Sequence, residues 1–280
     1  MMKMMGLSAG LKKPHKFGRD ISQANLSSEK GKRFKILSRR DILKNNVKGM
    51  GLKNSLLIFG IASILLALET QFLIPFLSRR TGIETVIFWF LVAGLGLFLP
   101  MLFLSFFMLR SEGLKIEKRT WEERLRFKKM NKNDWLWSIG AIVLIGMLSL
   151  VIIKFIQAKI GKLETSPAFM HFKPLTPDRY WILVAWLPYW LLNIMGEEIL
   201  WRGVILPKQE LVFGKTTWLI HGICWGIFHL AFGWQLLLTL LPILFIQSYV
   251  VQRRKNSWTG VVIHAVINGP SFIAIAFGWL

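Results

Sequence analysis

Three short patterns place proton-transferring and charge-stabilising groups within an otherwise apolar chain: Glu197-Glu198-x-x-x-Arg202, Trp225-x-x-x-His229 and His264-x-x-x-Asn268. On a helix, residues four apart share a face, so Glu198 and Arg202 can neutralise each other. Glu197 points about 100° away and is the carboxylate left for chemistry. The second pattern sets an aromatic ring one turn before an imidazole. The third aims an imidazole and a carboxamide at the same neighbour, which makes a donor pair on one face. A competing reading treats Glu197, Glu198 and Arg202 as an ion-pair network that locks helices together, although two adjacent carboxylates exceed what one arginine requires.

These groups need elements to hold them, and the composition says which kind. Of 280 residues 53% are hydrophobic and 18% charged, with a mean hydropathy of +0.46, which does not fit a water-soluble surface. From residue 55 onward long apolar runs alternate with short polar breaks. Seven runs approach the roughly 20 residues a spanning helix needs: 55–77, 85–109, 135–158, 180–206, 216–232, 234–252 and 257–279. The fifth is short and polar for a span. None alternates with period two, which excludes a barrel. The fold class is therefore an all-α polytopic bundle of about seven transmembrane spans with a basic N-terminal cytoplasmic tail. Its organisation is 1–54, a tail held near anionic lipid; 55–134, two spans and a basic loop; and 135–280, the core carrying the three patterns.

The charge, 36 Lys+Arg against 15 Asp+Glu for a net +21, has to lie outside the spans. Residues 1–54 hold fourteen basic residues against Asp20, Glu29 and Asp41, and no apolar stretch follows within them to make a targeting signal. They lack the interleaved aromatics of a nucleic-acid arm, so no nucleic-acid partner is expected. With the N-terminus inside, 28 basic residues fall on the cytoplasmic side and six outside, which predicts a multi-pass cell-membrane protein with a cytoplasmic N-terminus and an external C-terminus. A single cysteine, Cys224, excludes a disulfide framework, and it lies about 140° around its helix from His229. It reads as a small core hydrophobe. His221 reads as structural. Glu69 can pair with Lys154 or Arg202, or be protonated at depth.

Counted at 1.5 Å per residue from the cytoplasmic ends, His264, Glu197, Asn268 and His229 come roughly 11, 14, 17 and 20 Å deep. Similar levels on three helices permit one cytoplasm-accessible polar cavity. The ordered motifs on apolar helices resemble the CAAX protease and bacteriocin-processing (CPBP, or Abi) family of intramembrane endopeptidases, similar to type II CAAX prenyl endopeptidases. The resemblance covers about a third of the chain and departs at Trp225, where the family usually has Phe.

The resemblance implies an intramembrane endopeptidase that cleaves a peptide or protein substrate, in some cases lipidated. Glu197 and His229 would activate a water with Glu197 as base, His264 and Asn268 would form the oxyanion hole, and Glu198, Arg202 and Trp225 would support the site. No cofactor is expected. The alternative is zinc, held by Glu197, His229 and His264, but the His-Glu-x-x-His zinc motif is absent and Asn268 is a poor zinc ligand. The expected role is bacterial peptide processing or bacteriocin self-immunity. The reading from a different class is a non-catalytic immunity or scaffold protein that keeps the motif helices for partner binding. A transporter would show an inverted repeat, and the two halves have none.

Overall fold

The computed structural model describes residues 47–161 and 173–279. Expectations about the tail before residue 47 lie outside the described residues. These residues form helices and no strand. The helices are α1 (Leu52–Thr81), α2 (Thr85–Ser111), α3 (Lys132–Ile160), α4 (Trp181–Glu197), α5 (Leu206–Phe213), α6 (Thr217–His229), α7 (Trp234–Arg254) and α8 (Ser257–Ala276). Wider π-helical turns, Glu198–Ile205, join α4 to α5.

Six candidate membrane spans result, where the sequence suggested seven. The fourth and fifth predicted spans fall in one helical run, Pro177–Phe232, whose 56 residues are more than twice a bilayer crossing. That run must fold back. Gly214, with φ 56° and ψ −124°, supplies the backbone an L side chain resists, and a 3-10 turn at Gly214–Thr216 reverses the chain. Gln209 then faces His221, and Glu197 faces Trp225, in antiparallel order. Helix α6 has 13 residues, about 20 Å at 1.5 Å each, which is short of the roughly 30 Å hydrocarbon thickness.

The packing is inverted relative to a soluble domain. Glu198, Arg202, Gln209, His221 and Gln247 are fully buried, while Leu57, Phe107, Leu136 and Val151 face outward. Lipid exerts no hydrophobic drive between helices, so small residues, shape and polar contacts hold the bundle together. Gly196 shows this: a Cβ there would sit 2.8 Å from the Phe98 carbonyl oxygen, so only glycine lets α4 approach α2, itself widened into π-helical turns at Trp89–Phe98.

Helix starts are set locally. Asn131 and Asp134 exchange side-chain and backbone bonds of 3.0 Å each, a capping box that begins α3. Asn256 accepts from the Trp258 amide at the start of α8.

The basic end is more ordered than its composition suggests. Residues 47–54, assigned to the tail, are in part tied to the bundle: Met50 is buried and its amide donates to the Lys208 carbonyl, and helix α1 has begun by Leu52. The basic loop after α2 also turns inward, burying Thr120, Arg124, Leu125 and Phe127. Arg124 holds both oxygens of Glu112 at 2.7 and 2.8 Å and donates to the Gly203 and Val204 carbonyls. Those carbonyls belong to the π-helical turns, so the arginine supplies donors that the wide turns leave wanting. Burial pushes the Glu112 carboxyl up, but Arg124 and Lys208 more than offset it and hold it below the ordinary carboxylate range.

Candidate active site

The site is built where the π-helical turns of α4 meet α6, α7 and α8. Widening the helix there sets Glu197 as the last α-helical residue and Glu198 as the first of the wider turns, so the adjacent carboxylates enter different surroundings. Glu197 accepts from the Asn193 carboxamide at 3.0 Å through Oε1 and from the Trp225 indole N–H at 2.7 Å through Oε2. Both partners are neutral. Glu198, with no exposed surface, lies 3.2 Å from Arg202 and takes 2.9 and 2.8 Å contacts from His264 Nδ1 and Gln247 on the same oxygen. Gly260 makes room for that carboxylate, since a Cβ would collide with Glu198 Oε2.

Trp225 stands at the centre. Its ring carries the Arg202 guanidinium 3.4 Å from the ring centroid, and its edge contacts reach His229 and His264 with centroids 5.2 and 5.6 Å away. A desolvated cation on an indole face is worth about 2 kcal/mol. That contact matters here because none of the Arg202 nitrogens has a hydrogen-bond partner among the described residues. His229 Nδ1 lies 2.9 Å from the Trp225 carbonyl oxygen. A carbonyl can only accept, so Nδ1 carries the hydrogen and Nε2 presents a lone pair.

Glu197, Glu198, Arg202, Trp225, His229 and His264 are thus brought into one buried cluster. Asn268 is half-buried on α8 one turn beyond His264, and no side-chain hydrogen bond ties it to the cluster among the described residues. Sequence reasoning missed Asn193 and Gln247. The signal for Asn193 was its i, i+4 relation to Glu197. Gln247 is a neutral amide within a span that belongs to none of the three motifs, so no spacing in the sequence marks it.

The remaining polar groups divide cleanly. Glu69 forms no ion pair among the described residues, so neither Lys154 nor Arg202 is its partner, and its carboxyl lies against Gly96. His221 bonds Gln209 at 2.7 Å and meets the edge of Phe59, which stacks on Trp201. It is structural. Cys224 is buried in the apolar core.

Among the described residues no three His, Cys, Asp or Glu side chains are grouped to hold a metal, and both Glu197 oxygens already accept from N–H groups.

Residues 179–269 match the family model described as type II CAAX prenyl endopeptidase Rce1-like. No curated protein and no solved structure matches the chain. The matched third of the chain contains all three motifs, and with six apolar helices it makes this a multi-pass membrane protein. Across that segment the chain is similar to the CAAX type II membrane endopeptidases, and the family resemblance read from its motifs is borne out.

Proposed function

We propose that the chain is an intramembrane endopeptidase in which Glu197 and His229 activate a water for attack on a peptide carbonyl. The observation that carries this reading is the unequal treatment of the two carboxylates. Glu198 forms the direct ion pair with Arg202 and also contacts His264, whereas the hydrogen bonds to Glu197 come only from neutral donors, which orient it while Arg202 acts on it from farther off. Glu197 is the base that takes one proton from the water as it attacks and returns it to the leaving amine, while the lone pair that the Trp225 carbonyl leaves on His229 Nε2 accepts a hydrogen bond from the same water and orients it.

Asn268 and His264 stabilise the oxyanion. His264 has Nδ1 occupied by Glu198, so Nε2 is the nitrogen it can turn toward the substrate oxygen. Glu198 and Arg202 are positioning groups. In this reading the reaction proceeds without a metal, supported by both Glu197 oxygens already accepting from Asn193 and Trp225.

The substrate is a peptide or protein reaching the site from the cytoplasmic face, which the basic end of the bundle marks. The biological setting is bacterial peptide processing or self-immunity to a bacteriocin. A non-catalytic immunity or scaffold role is favoured by one observation: Glu197, His229 and His264 are only 2, 8 and 4% exposed, a closed network suited to locking helices.

Two experiments separate the readings. Peptidomics of membranes carrying wild-type protein or Glu197→Gln should show peptides that disappear in the variant. In a bacteriocin-protection assay the catalytic reading requires loss of protection with Glu197→Gln, and retained protection would establish the scaffold.

A further inference from the structure

We propose that the groove between α3, α6 and α7 binds one anionic phospholipid, with an acyl chain in the groove and the headgroup on a ring of three cations. The groove has a volume of about 650 Å³ and is lined by Leu136, Gly140, Leu144, Trp218, Phe245 and Tyr249 among others. That volume falls in the range of roughly 300–1,000 Å³ typical of small-molecule sites, and the lining offers almost nothing polar. An apolar chain is the matching occupant. In a bilayer, however, neighbouring lipid tails are as apolar as the groove, so burying a chain selects nothing by itself. Selection has to come from the headgroup.

A cation lies about one turn from the groove residues at three places: at the start of α3, in the 3-10 turn just before α6, and near the end of α7. Lys132 precedes Leu136 by four positions, Lys215 precedes Trp218 by three, and Arg253 follows Tyr249 by four. These positions meet at one end of the bundle: Arg254 bonds Asp134 at 2.8 Å, and the Trp218 amide donates to Gln252. All three cations are exposed. Nearby acids are occupied, with Asp134 on Arg254 and Asn256, and Glu210 on Arg126 and Lys255. Trp137, Trp218 and Tyr249 form a contiguous aromatic set at the same level, with centroids 6.1 and 5.7 Å from the Tyr249 ring, as at a membrane interface. A basic residue near the surface favours an anionic headgroup by about fivefold, so three of them give a preference of at least tenfold after imperfect geometry.

The test uses the full-length protein, delipidated in detergent, offered phosphatidylglycerol or phosphatidylcholine, with bound lipid counted by native mass spectrometry. Phosphatidylglycerol should be retained at least about tenfold better. The triple variant Lys132→Gln/Lys215→Gln/Arg253→Gln should lose that preference. Gly140→Leu should lose the bound lipid, because Gly140 lines the groove, a Cβ there meets nothing within 4 Å, and the larger side chain takes up groove space. Equal retention of both lipids by wild type would overturn the proposal. So would unchanged binding by a Gly140→Leu protein whose melting temperature shows it folded. Displacement of phosphatidylglycerol by an equal concentration of a farnesylated peptide would assign the groove to substrate and overturn it as well.

Discussion

Two buried polar regions of this bundle treat their carboxylates in opposite ways. At the basic end Glu112 is gripped by both arms of Arg124 and by Lys208, and Glu210 by Arg126 and Lys255, so both of these acids meet cations. In the site, Glu198 follows the same rule with Arg202, but Glu197 beside it meets only an amide and an indole N–H. Carboxylates matched by cations fix structure, and removing a partner strands a buried charge. A carboxylate held by neutral donors is oriented yet still free to accept a proton. Under the proposed function, the contrast between adjacent residues, rather than the presence of acids in a membrane, is what would separate reaction from architecture.

The comparison can be broken most severely at Glu198. Glu198→Gln leaves Arg202 a buried cation without its carboxylate, and should destabilise the fold by about 3–5 kcal/mol, measured as a lower denaturation midpoint. Arg124→Met should cost less, about 2–3 kcal/mol, because Lys208 remains on Glu112. Trp225→Phe should leave the fold intact and lower the cleavage rate by about tenfold or more, the worth of one charge-assisted hydrogen bond to the Glu197 carboxylate. An unchanged rate would show that the indole acts only as an aromatic wall.

The smallest effect is a pH dependence. The Glu112 carboxyl is held low, so its contribution to stability is fully present above the unfolded carboxylate range and is lost as pH falls through its depressed folded value. Acid titration of wild type against Glu112→Gln should show the difference confined to that acidic window.

Much of this was legible in the sequence. Apolar run length gave the helices, and i, i+4 spacing paired Glu198 with Arg202 and placed Trp225 before His229. What stayed hidden depended on tertiary approach. The fold-back at Gly214 joins two predicted spans in one helical run, because hydropathy counts length and cannot see a reversal inside it. The inward turn of Arg124 was invisible because a basic loop looks solvated until a carboxylate and two carbonyls are found facing it. Trp225 read as a conservative change from Phe. Its N–H became informative only once α6 was seen to lie against Glu197.

The central claim, that Glu197 is the reactive carboxylate and Glu198 the structural one, is tested most directly by one paired measurement. Glu197→Gln is compared with wild type in reconstituted membranes, reading cleavage of a substrate found by peptidomics alongside the melting temperature. The account predicts a rate loss of about 10²–10⁴-fold with the melting temperature unchanged. Cleavage retained at the wild-type rate, or a loss matched by unfolding, would contradict it.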